Sequence, residues 1–231
     1  IKHGVKFIKN GSDYLSHIPL IKYMASTEST IILSTGMAYQ EEIDDAVNAI
    51  LSIRNDKSKL VLLHCTSSYP TSFENVNLKK ILSLKDRYKV KVGFSDHTDG
   101  WESSVQAISL GAQVIEKHFT LDKNLPGPDH WFSSDPKEFK ELVNQIRLAE
   151  KRMGSSLLKP AKSEMRVKDE WRLGLVWNKN IPSGKKISVR DISIKKPATE
   201  LRPKDLESLI GRKTAKSCVQ GSPVKIEDIS K

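Results

Sequence analysis

At 231 residues with 38% hydrophobic residues, the chain has room for one large domain or two smaller ones, and no apolar run is long enough to span a bilayer. The net charge of +10 is scattered: residues 169–231 hold 14 Lys/Arg against 8 Asp/Glu, with no dense run and little aromatic interleaving. Solvated faces and an anionic small-molecule substrate explain that at least as well as a nucleic acid does, so neither nucleic acid nor membrane is the expected partner.

The chain opens on Ile1, only a few residues before a β-rich run at Val5–Lys9, as a piece cut inside a larger domain would. Asn10 to Asp13 is a turn, and Ile18–Ser26 has the pattern of a helix, with Pro19 tolerated in its first turn. Thr30–Ser34 is an apolar run of buried parallel-strand type. Tyr39–Arg54 follows as a helix with a stripe of Ile43, Val47, Ile50 and Leu51, and Glu41 and Glu42 near its positive end. The unit repeats as a strand at Leu60–His64 with a helix at Val76–Tyr88, and as a strand at Val90–Phe94 with a helix at Ser103–Leu110. A strand at Gln113–Phe119 leads through a Pro/Gly-rich loop, Asp122–Pro136, into an amphipathic helix at Lys137–Met153.

Five strand–helix units predict a parallel sheet covered by helices. An eight-fold barrel needs three more units, and a five-stranded doubly wound sheet is the alternative, although no Gly-rich dinucleotide fingerprint supports it. Beyond residues 1–154 the texture changes. Residues 155–168 have the composition of a linker, and residues 169–231 alternate short β-prone runs with turns around one small helix at Pro203–Ile210. A core of that size is near the lower limit for independence. The two cysteines, Cys65 and Cys218, lie far apart and supply no disulfide framework, and no secretory signal opens the chain, so a reducing cytoplasm is the expected compartment.

The stretch Lys91–His118 organises the rest. It has the form of strand, short helix and strand, which places His97 and His118 at the same, C-terminal edge of one sheet, where parallel α/β proteins keep their chemistry. Two imidazoles there suit a divalent metal with other positions open to water or substrate. Lys9 and the strand-end serines Ser12, Ser34, Ser67 and Ser95 are donors of the kind that a phosphate or carboxylate needs.

Six segments in order carry a resemblance: Lys9-Asn-Gly-Ser12, Leu33-Ser-Thr-Gly-Met37, Leu63-His-Cys-Thr-Ser-Ser-Tyr-Pro70, Gly93-Phe-Ser-Asp-His-Thr98, Ile115-Glu-Lys-His-Phe-Thr120 and Leu125-Pro-Gly-Pro-Asp-His130. With them the chain resembles the N-acetylneuraminate (sialic acid) synthase family, including its legionaminate and pseudaminate synthase relatives. The resemblance implies the last five units of a (β/α)8 barrel followed by a small β-clip domain of the antifreeze-like, or SAF, type. It implies condensation of phosphoenolpyruvate with an N-acylated mannose-type sugar to a nine-carbon 2-keto acid, in a domain-swapped homodimer. Manganese or magnesium would sit on His97 and His118, phosphoenolpyruvate on Lys9, Ser12, Ser34, Ser67 and Ser95, and Tyr69 and Asp129, near the sugar, would be the catalytic residues.

Two departures accompany the resemblance. Tyr14 stands where the family usually has an acid, with Asp13 one residue early. Lys196-Pro197 replaces an Arg-Pro step whose arginine reaches a neighbouring subunit's sugar, with Arg202 nearby to compensate. A metal-assisted aldolase or hydrolase on the same barrel, or a basic polysaccharide- or nucleic-acid-binding fragment, are the competing functions.

Overall fold

The computed structural model describes residues 4–230. The chain divides into two units, Ile1–Ser155 and Ser156–Lys231.

The first unit runs β1 (Phe7–Asn10), α1 (Ile18–Ala25), β2 (Thr30–Ser34), α2 (Gln40–Ile53), β3 (Leu60–Cys65), α3 (Lys80–Tyr88), β4 (Lys91–Asp96), α4 (Glu102–Ser109), β5 (Val114–Lys117) and α5 (Pro136–Met153). Its five strands are all parallel and lie in chain order, β1-β2-β3-β4-β5. A doubly wound sheet reverses its strand order at a switch point, and this one does not, so that alternative falls away. Curling decides the rest. Lys9 on β1 reaches Glu116 on β5 at 3.1 Å, although four strand spacings of a flat sheet would separate them by about 19 Å. The sheet is therefore a partial barrel.

Alternation along the strands sorts the two faces. Ile31, Leu33, Leu60, Leu62, Val92 and Phe94 point to the helix side and are nearly inaccessible, packed with Ile21 and Met24 of α1, Ala46 and Ile50 of α2, and Ile81 and Leu84 of α3. The intervening residues, among them Lys9, Ser34, Cys65, Ser95 and Glu116, line the concave side. At the N-terminal ends of the strands, Arg54 donates to the carbonyls of Thr27, Ser29 and Lys59 at 3.0, 2.9 and 3.1 Å. It knits together the segments that enter β2 and β3.

Local chemistry sets the start of the longest helix. At α5, Asp135 accepts from the Glu138 amide at 2.8 Å while Glu138 accepts from the Asp135 amide at 3.0 Å, with Pro136 in the first turn. The third helix starts at Lys80 rather than Val76. Phe73–Asn75 forms a separate 3-10 turn, and Asn77 takes a left-handed conformation (φ 51°) that an α-helix does not admit.

The second unit begins inside the expected linker. Residues 165–168 belong to α6 (Met165–Trp171), a helix with no buried residue. An antiparallel pair follows, β6 (Gly174–Trp177) with β7 (Ile192–Lys195). The predicted helix at Pro203–Ile210 is a 3-10 turn, Pro203–Asp205, and the short α7, Leu206–Leu209. The unit has its own core of Leu175, Trp177, Ile181, Ile187, Val224 and neighbours. Two buried aspartates brace it. Asp191 pairs with Lys179 and Lys185, both at 2.8 Å, and Asp228 accepts from the Trp177 indole at 3.2 Å.

Candidate active site

The C-terminal strand ends of the concave face open on a cleft of about 450 Å³. Lys9, Ser12, Ser34, Ser67, Ser95, Tyr69, His97 and His118 all line it, so one cavity gathers the candidates from β1, β2, β3, β4 and β5. Strand periodicity explains the gathering. Ser95 and His97, like Glu116 and His118, are two residues apart and share a face.

One side of the cleft gathers hydroxyl, thiol and amide groups. Ser12 accepts the Gly36 amide at 2.9 Å and lies 3.1 Å from the Cys65 sulfur. A Cβ on Gly36 would stand 2.4 Å from the Ser67 hydroxyl and 2.8 Å from both Cys65 Sγ and Ser12 Oγ. Only glycine lets these three polar groups close in. The Ser34 hydroxyl is buried, and no hydrogen-bond partner for it exists among the described residues. A buried hydroxyl without a partner costs about 1–3 kcal/mol, which an incoming acceptor oxygen would recover.

The other side is aromatic and imidazole-rich. His97 Nδ1 lies 2.8 Å from the Thr66 carbonyl. A carbonyl only accepts, so Nδ1 carries the proton and Nε2 keeps a lone pair. Burial pushes the His97 pKa down; the Thr66 hydrogen bond acts the other way, and His118 adds to the lowering. The ring is thus neutral near pH 7, the form that binds a metal. His118 meets it edge-on with 5.3 Å between ring centres, and its Nδ1 is 3.9 Å from the Asp129 carboxylate. Tyr69 packs 4.3 Å from the His97 ring and 5.4 Å from His118. Burial raises the Tyr69 pKa, and Cys65, Asp129, Asp13 and Glu116 add to it, so its phenol remains a donor.

The residues toward a metal are few. Among the described residues no group of three or more His, Cys, Asp or Glu is arranged around one ion. His97 and His118 supply two nitrogens, and the backbone carbonyl behind His97 orients it as an outer partner of a metal ligand would. The pair fits an ion that fills its remaining positions with oxygen, which suits manganese or magnesium.

The structure places the other candidates as follows. Asp129 is largely exposed in its loop beside His118. Asp13, not Tyr14, lines the cleft; Tyr14 is 51% exposed and stacks on His17 instead. Lys196 and Arg202 belong to the second unit. There the Lys196 ammonium lies 5.8 Å from the Trp171 ring centre, and Arg202 lies 3.7 Å from Asp169.

Sequence reasoning missed Glu116 and Cys65. Glu116 accepts from the Ser95 hydroxyl at 2.7 Å and pairs with Lys9. Its signal was present, two residues before His118 on a strand. The neighbouring Lys117 is turned to the other face, where it pairs with buried Asp96 at 3.3 Å.

Residues 1–157 match the model of the NeuB family. An uncharacterised protein of Methanocaldococcus jannaschii is 46% identical over 92% of the chain and 62% of its own length. The N,N'-diacetyllegionaminic acid synthase of Campylobacter jejuni is 42% identical over 93% of the chain and 64% of its own length. The crystal structure of an N-acetylneuraminic acid (sialic acid) synthetase from Leptospira borgpetersenii, in complex with citrate, superposes with a TM-score of 0.66 at 38% identity. That superposition covers 71% of this chain and 57% of that one. The chain thus spans less than two thirds of the length of these relatives.

Proposed function

Because the chain belongs to the NeuB family, we propose that the protein containing it is a sugar-acid synthase that joins phosphoenolpyruvate to an N-acylated mannose-type sugar. Carbon 3 of the enol forms a bond to the sugar's aldehyde carbon, water adds at carbon 2, and the C–O bond to phosphate breaks. The products are a nine-carbon 2-keto sugar acid and inorganic phosphate.

The observation that carries this reading is the meeting of two kinds of chemistry in one cleft. Lys9, the partnerless Ser34 hydroxyl and the Ser12–Ser67 cluster around Gly36 would hold the phosphate and carboxylate. His97 and His118, with Tyr69 packed against both, line the same cleft. A divalent ion bound there supplies Lewis acidity for the aldehyde or for the water. Tyr69 would donate to a sugar oxygen, and Asp129 and Asp13 would accept from its hydroxyls.

The same reading assigns the second unit to the antifreeze-like module, with Lys196 or Arg202 offered to the sugar's acyl group across a swapped homodimer. The site would be cytoplasmic. No helix among the described residues is long and apolar enough to cross a membrane.

The test uses the full-length protein with manganese. Phosphate should appear only when phosphoenolpyruvate and an N-acyl mannose-type sugar are both present. His97→Ala or His118→Ala should remove turnover by orders of magnitude with the fold intact. Phosphate release from phosphoenolpyruvate alone, or near-normal turnover of either variant at limiting metal, defeats the proposal.

A further inference from the structure

We propose that Glu116 is a positioning residue that captures the Ser95 hydroxyl proton and so keeps His97 Nε2 free to bind a metal ion. The inference rests on the metal site proposed above and deepens it.

Ser95 Oγ lies between two acceptors. Glu116 Oε1 is 2.7 Å away and His97 Nε2 is 3.2 Å away. The hydroxyl owns one proton, and Nε2 cannot supply a second, because the imidazole proton sits on Nδ1 against the Thr66 carbonyl. Distance and charge both favour the carboxylate, since hydrogen bonds to ionised acceptors are shorter and roughly twice as strong as neutral ones. Ser95 therefore turns its proton toward Glu116 and presents oxygen lone pairs to His97. Glu116 is itself held, because Lys9 Nζ contacts the same oxygen at 3.1 Å. Lys9 on the first strand, Glu116 on the last and Ser95 between them thus fix which way one hydroxyl points. Without the carboxylate, the nearest acceptor left to that hydroxyl is the Nε2 lone pair, and a metal would have to displace the bond.

The role predicts a thermodynamic coupling. Manganese affinity of the full-length protein is measured by calorimetric titration, with no substrate present. Glu116→Met removes the acceptor at similar volume and should weaken manganese binding about 10- to 100-fold, the usual range for an outer partner of a ligating histidine. Glu116→Gln keeps a weaker acceptor and should fall between Met and wild type. Ser95→Ala removes the competing hydroxyl and should stay within about threefold of wild type; in that background Glu116→Met should cost nothing further. Circular dichroism checks each fold, and if Glu116→Met does not fold, the Gln variant with and without Ser95→Ala carries the same cycle. Unchanged affinity in the Glu116 variants, or an equal loss with and without Ser95, overturns the inference while leaving the metal site standing if His97→Ala abolishes binding. Absence of manganese binding by the wild type overturns both.

Discussion

Lys9→Met separates two jobs that one ammonium group does. The first is the ion pair with Glu116. Both side chains of that pair are more than a third exposed, at 37% and 35%, so solvent screening reduces its value to about 0–1 kcal/mol of stability. The second is the proposed contact with phosphoenolpyruvate. A hydrogen bond to a charged group contributes about 1.5–3 kcal/mol, which corresponds to about a 10- to 150-fold change in an equilibrium constant. Methionine preserves the apolar stem and much of the volume, so the fold should tolerate it. The expected result is a rise of that size in KM for phosphoenolpyruvate, little change in KM for the sugar, and a melting temperature within a few degrees of wild type. Steady-state phosphate release, with each substrate varied at saturation of the other, gives both constants. An equal rise in the two KM values, or a collapse in melting temperature, would show that Lys9 supports the sheet rather than the anion.

The opposite end of the sheet should behave in the opposite way. Arg54→Ala removes three bonds to backbone carbonyls and is expected to cost about 2–4 kcal/mol in denaturant unfolding, with both KM values unchanged; a KM effect without a stability effect would refute that division. In the second unit, burial alone would raise the Asp191 pKa, but Lys179, Lys185 and Ser188 outweigh it and hold the carboxyl well below the usual carboxylate range. A depressed folded-state pKa gives stability that is complete above the unfolded value of about 3.9 and is lost as pH falls toward the folded one. The stability gap between wild type and Asp191→Asn should therefore be largest near neutral pH and shrink below about pH 4, and an equal gap at both ends of an acid titration contradicts the assignment. For the proposed swapped dimer, mixing a protein deleted after Ser155 with full-length His97→Ala should restore part of the activity, because under that proposal an intact module would cover an intact metal site. No restoration in demonstrated heterodimers means that the module acts in cis or not at all.

The strands were readable because parallel strands buried on both faces are written as apolar runs, and Thr30–Ser34 and Leu60–Cys65 are nearly pure examples. Histidines at equivalent strand ends were readable for a related reason, since period-2 alternation fixes their side. The late start of α3 was hidden because Asn77 adopts its left-handed conformation without a glycine to advertise it. Glu116 was passed over because the sequence shows it as one charge beside Lys117, and only the pleat separates them, one toward the cleft and one toward Asp96. The shift from Tyr14 to Asp13 depends on the 3-10 turn at Ser12–Tyr14, which sets the direction of each side chain and leaves no clear mark in composition. The curl of the sheet left no mark in periodicity or composition, being a property of the five strands together; the resemblance to a barrel family was what implied it.

That curl also bears on the order in which the molecule acquires competence. Each strand pairs with its neighbour in the chain, so every ladder closes a loop of one strand–helix unit. The bond between Lys9 and Glu116 is different in kind, because it joins the first strand to the last and must await the whole sheet. Helix formation can therefore be read without the cleft, whereas the cleft needs all five strands in place. Affinity for the proposed anionic substrate would consequently be a stringent probe of whether the whole sheet has formed.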